Sequence, residues 1–170
     1  MMTNKTVDSY KFIGGITTRL VKKWISLEDP QAIPWTALTK PLSECTVALV
    51  STGAIALKED APFDQEGERR NPWWGDPSYR IIPNDARSED IRVYHLHIVT
   101  AFGEQDLNVL LPIERLAELA EEGFIGASAP SHYSYMGYIL EPEVLLTQSV
   151  PRMIETLRGE GVDIVALFPA

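Results

Sequence analysis

Sulfur, histidine and long apolar runs are all scarce in this chain, and each shortage removes a class of function. One cysteine, Cys45, stands among 170 residues. No intramolecular disulfide can form, and a reducing, cytoplasmic setting is expected. No stretch reaches the roughly 20 consecutive apolar residues of a membrane helix. The opening MMTNKTVDSYKF has no apolar segment leading to a small-residue cleavage site, so neither a membrane role nor a secretory signal is expected. Phosphate-cradling motifs are missing too. The STGA after the first strand candidate offers a single glycine, not G-x-G-x-x-G, and there is no G-x-x-x-x-G-K-[ST]. No cofactor is therefore expected. A G-x-S-x-G nucleophile elbow is also absent. The net charge of −9 argues against a nucleic-acid partner.

What remains reads as a soluble α/β protein of one compact domain, with 45% apolar residues. Residues 1–44 are expected to form an N-terminal helix and a wrapping segment, and residues 45–170 the α/β body. The helix is read over 9–27, where Phe12, Ile16, Leu20 and Trp24 recur every fourth position and Ile13, Val21 and Ile25 widen the stripe. Gly14 and Gly15 each cost it about 1 kcal/mol relative to alanine, so tertiary packing is expected to hold it. Lys5, Lys11, Arg19, Lys22 and Lys23 make this end locally basic and read as a solvated helix face. Pro30, Pro34 and Pro41 punctuate the extended stretch that follows.

TVALVST (46–52) reads as a strand buried on both faces. Residues 58–78 are charged and rich in turn residues, which predicts a long loop, with Trp73 and Trp74 pinning it to the core. YRIIP (79–83) and IRVYHLHIV (91–99) are strand candidates, and 124–139 is divided between loop and short strand. A helix begins at Pro112 and stops at Gly123. A second runs over 142–158, kinked or split by Pro151. GVDIVALFPA closes the sequence with another buried strand. The alternation predicts three layers around a mostly parallel sheet, Rossmann- or flavodoxin-like.

Chemistry-bearing residues are few. Strand alternation puts His95 and His97 on one face, and His132 is a conceivable third metal ligand. No cysteine or carboxylate is spaced to support them, so satisfied core or rim histidines are the default and no metal is expected. His132 in PSHYSYMG lies in a polar loop with hydroxyl neighbours, which suits ligand contact. Cys45 precedes the first strand, at the end opposite to where α/β sites form, and reads as an inert small residue.

Several blocks together carry a resemblance: VALVSTGAI (47–55), GDPSYRIIP (75–83), DLNVLLPIERLAELAEEGFIG (106–126), HYSYMG (132–137) and GVDIVALFP (161–169). In these the chain resembles the selenoprotein B family of glycine, sarcosine, betaine and D-proline reductases, over roughly residues 45–169. The resemblance implies a part in reductive C–N bond cleavage of small amino-acid-like substrates, within a multi-protein system. In that family a selenocysteine or cysteine participates, often with a pyruvoyl group on a partner chain. The redox residue is expected directly after the last strand, where this sequence reads ALFPA. The chain as given is thus expected to be catalytically incomplete, or cut at a selenocysteine codon. The loops after the strands remain as the expected substrate-binding set: Thr52, Gly53, Asp76, Ser78, His132, Tyr133 and Ser134. A small-molecule ligand and a protein partner or homo-oligomer are expected. The alternative is a non-catalytic accessory protein that docks on a partner enzyme.

Overall fold

The computed structural model describes residues 10–11, 13–27, 32, 36–71 and 73–170. Phe12, Pro30 and Pro34, the start of the predicted N-terminal helix, and Lys5 lie outside the described residues. The chain divides into two compact units, residues 1–37 and 38–170.

The first unit contains α1 (Gly15–Ile25). The four-residue recurrence does form a helix, but no residue of it is buried, and Ile16 is 79% exposed.

The second unit is built on β1 (Thr46–Ser51), whose β-branched apolar run is almost wholly buried. From there the chain doubles back. Gly53 bridges Met136, Ala54 takes a positive φ of 51°, and its N–H donates to the Tyr135 carbonyl. This turn delivers β2 (Ile55–Leu57). The predicted 58–78 loop contains the short helix α2 (Gln65–Arg70), capped by Asp64 accepting from the Gly67 N–H. Trp74 rests on α2 so closely that a Cβ on Gly67 would lie 2.3 Å from its ring, whereas Trp73 is 60% exposed. Then come β3 (Tyr79–Pro83) and β4 (Ile91–Val93). The predicted 91–99 strand stops early because the His95 ring captures the His97 N–H (Nδ1, 3.1 Å), a local bond that competes with strand pairing.

Next are α3 (Thr100–Gln105) and α4 (Ile113–Glu121), the latter preceded by Pro112 and followed by Gly123 at φ 76°. β5 (Ala127–Ser128) and β6 (Ser131–Tyr135) follow. Pro151 neither breaks nor splits the next helix. A π-helical stretch, Leu145–Ser149, runs into α5 (Val150–Gly159), which accommodates the missing proline N–H. The last strand is β7 (Ile164–Phe168).

β1 is central. It pairs in parallel with β7 on one side and with β5 and then β6 on the other; β3 adds antiparallel to β6. β2 and β4 form a separate antiparallel pair. The sheet is therefore mixed: its three pairings through β1 are parallel and the β3–β6 pairing is antiparallel, and it curls where the chain folds back from β1 along β6. On one face Val47 and Leu49 pack with Ile55, Ile91, Leu111, Ile113 and Leu116. On the other, Ala48, Val50 and Tyr133 pack under Met153 and Leu157 of α5. β7 is not the buried strand its composition suggested. It lies at the edge, pairs only with β1, and leaves Leu167 72% exposed.

Candidate functional site

β1, β6 and β7 run parallel, so their carboxyl ends meet on one rim, the position where open α/β sheets place ligands. Thr52 and Gly53 lie there. The Thr52 carbonyl accepts from the Gly137 N–H (2.9 Å) just past β6, and its hydroxyl accepts from the Ala170 N–H (2.8 Å) past β7. The imidazole of His95 crowds against Gly137. A Cβ on that glycine would come within 2.7 Å of Nε2, so only glycine leaves room for the ring.

Beside His95 stands His97, ring edge to ring, with centroids 5.8 Å apart; Tyr138 packs on His97 at 4.9 Å. His97 Nε2 lies 2.9 Å from Oε1 of Glu68. The two side chains differ sharply in exposure, 53% for His97 and 3% for Glu68. The other Glu68 oxygen, Oε2, is buried with no hydrogen-bond partner. His95 is buried, and desolvation, reinforced by the nearby His97, lowers its pKa below the ordinary imidazole value. With Nδ1 accepting from the His97 N–H, its neutral ring carries the proton on Nε2.

The predicted site residues divide into three groups. Thr52 and Gly53 lie on this rim. Asp76 and Ser78 act one step away. One Asp76 oxygen accepts from the Asp64 N–H (2.8 Å) and the other from the Ser78 N–H (2.8 Å), fixing the start of α2 and so the placement of Glu68. The Ser78 hydroxyl accepts from the Arg80 guanidinium (3.0 Å). His132, Tyr133 and Ser134 are fully buried within β6. His132 Nδ1 accepts from the Leu49 N–H (3.1 Å), and Nε2 faces the Ser128 hydroxyl (3.2 Å). Burial lowers its pKa to about 4. The Ser134 hydroxyl accepts from the Ile55 N–H (2.9 Å). Burial raises the Tyr133 phenol pKa, and the Glu160 carboxylate adds to the shift.

Glu68 and Tyr138 carried no signal in the sequence. Glu68 sat in a charged stretch that read as solvated loop. Alternation did bring His95 and His97 together, but the structure joins them by a side-chain turn beyond the end of β4. Among the described residues no three His, Cys, Asp or Glu side chains converge to hold a metal. Cys45 is fully buried at the amino end of β1, its thiol donating to the Pro41 carbonyl (3.3 Å). That is roughly 20 Å from Thr52 along the strand. No helix among the described residues is long and apolar enough to cross a membrane.

No protein-family model matches the chain, and no solved structure matches it. D-proline reductase subunit gamma of Acetoanaerobium sticklandii is 35% identical to it over 133 residues, which is 78% of this chain and 52% of that protein. The chain thus spans about half the length of the relative it matches. The similarity makes this protein a sequence relative of a D-proline reductase gamma subunit.

Proposed function

We propose that this chain acts as a subunit of a reductase for small amino-acid-like substrates, of the kind that cleaves a C–N bond reductively. It binds substrate at the rim where the parallel strands end, while a group other than Cys45 carries the thiol or selenol chemistry. The 35% identity to the gamma subunit carries this reading. The geometry supports it in two ways. The rim gathers hydrogen-bonding and charged groups at the usual ligand position of an α/β sheet. The thiol at Cys45 is sealed and distant, so it lacks the accessible thiolate that reductive cleavage needs.

Calorimetric titration of the purified chain with glycine, sarcosine, betaine and D-proline tests it. Binding of at least one below about 10 mM is expected, generous against the usual range of substrate affinities. No binding of any of the four overturns the reading.

A second reading, a non-catalytic accessory protein docked on an enzyme, draws on one observation. An apolar groove of about 320 Å³ lies between α4 and the exposed β7, lined in part by Leu116, Ile125, Ile164 and Phe168. Stoichiometric co-elution with co-expressed reductase subunits, together with no binding of the four amino acids, would favour it.

A further inference from the structure

We propose that His97, positioned by Glu68, is the carboxylate-binding residue of the rim, its protonated Nδ1–H donating to the carboxylate of a small amino-acid ligand. The inference deepens the reading of an amino-acid-binding rim and rests on it.

A carboxylate buried to 3% exposure is expensive unless a partner compensates it, and Glu68 has His97 on one oxygen and nothing on the other. A fold selected for stability alone would do better with glutamine or an apolar residue there. The arrangement instead fixes the imidazole. Nε2 must donate to Oε1, so Nε2 carries a proton in both charge states of the ring, and Nδ1 is where the second proton arrives. Among the described residues no hydrogen bond engages Nδ1, and half of the side chain is open to solvent. The groups that face the ring are Glu68 from α2, His95 from its own segment and Tyr138 from the stretch after β6. His95 is held neutral by burial, so it adds no competing positive charge, and its ring fixes the His97 backbone through the Nδ1 contact.

A carboxylate arriving at Nδ1 completes a sandwich, with the imidazolium between two anions joined by charge-assisted hydrogen bonds. A bound carboxylate favours the protonated ring, so ligand binding draws protons from solution. The proton forms the Nδ1–H bond, and no other bond is made or broken.

The test is calorimetric titration of D-proline into the full chain at pH 7.5, in phosphate and in Tris, whose ionisation heats differ. Net proton uptake on binding is expected. D-Prolinamide, which has the amine but no carboxylate, is expected not to bind. Glu68→Gln keeps an acceptor for Nε2 and removes the charge; it should lose the proton uptake and about tenfold in affinity. Should that variant fold poorly, His97→Gln and nitrogen-15 NMR of the wild-type histidines give the same reading, since bound D-proline should shift the His97 ring to its imidazolium form. Binding of D-proline with no proton uptake, or equal binding of D-prolinamide, overturns this inference and leaves the amino-acid reading standing. Failure of all four amino acids to bind removes both.

Discussion

At the scale of single residues, His132 does the work of a peptide carbonyl. In the interior of β1 the Leu49 N–H meets the interruption between β5 and β6, where no backbone acceptor faces it, and the imidazole Nδ1 accepts in its place. Replacing it (His132→Phe) strands a buried N–H and should cost about 1–3 kcal/mol, read as a lowered denaturant midpoint. Because burial brings the folded pKa to about 4, well below the ordinary 6.5, the folded state prefers the neutral ring. Its contribution is complete above pH 6.5 and is lost as pH falls towards 4, since the unfolded chain binds the proton first. A loss of about 3 kcal/mol across that window is expected, and the His132→Phe variant should lack this component of the slope. Denaturant titrations at several pH values check both points. The sequence had singled out His132 as a ligand contact for its polar neighbourhood. Its burial depends on the pairing of β6 with β1, residues more than 80 positions apart, which local reading cannot reach. Cys45 was legible as inert because apolar residues around a strand start bury small side chains. Alkylation of its thiol should proceed only as fast as the chain unfolds, a rate that mass spectrometry can follow.

At the scale of elements, residues that carry their own signal were legible. β1 declared itself through a β-branched run, and α4 through Pro112 and Gly123 at its two ends. Elements defined by their partners were not. β7 has the composition of a core strand, yet it has one neighbour, and nothing in IVALF says on which side a second would lie. β4 is cut short by a side chain two residues past its end. β5 depends on close approach: a Cβ on Gly126 would lie 2.6 Å from the Glu44 carbonyl carbon and 3.0 Å from the Cys45 nitrogen. Those are backbone atoms that cannot swing aside. Gly126→Ala should therefore force β5 away from β1 and destabilise by about 2 kcal/mol, towards the large end of single-substitution effects. A thermal midpoint measurement is sufficient to see it.

At the scale of the whole molecule, all three buried apolar clusters fall between Val47 and Leu157, within the second unit. A chain begun at Leu38 is expected to unfold cooperatively, because the second unit carries its own buried clusters, built among the described residues from Val47 onward. The candidate site belongs to this scale as well. Glu68, His95, His97 and Tyr138 come from α2, from the segment after β4 and from the end of β6. Their convergence follows from the curl of the sheet, not from any spacing in the sequence. The position of Thr52 and Gly53 past the end of the central strand was legible because strand reading already supplies it.

Opposite β1, the register runs from Val47↔Ser128 to Val50↔Tyr133, so three steps on one strand are matched by five on the other. The surplus of two is an even number, and side chains alternate with a period of two. That is why Tyr133 still points to the same layer as Val50 after the interruption. A deletion of one residue at Ala129 or Pro130 would invert β6, sending Tyr133 and its neighbours to opposite sides. Removal of both would preserve the alternation while giving up the buried Ala129 methyl and the backbone bonds of Ala129 to Val47 and of Asn84 to Pro130, so length variation at this point is expected to occur in pairs.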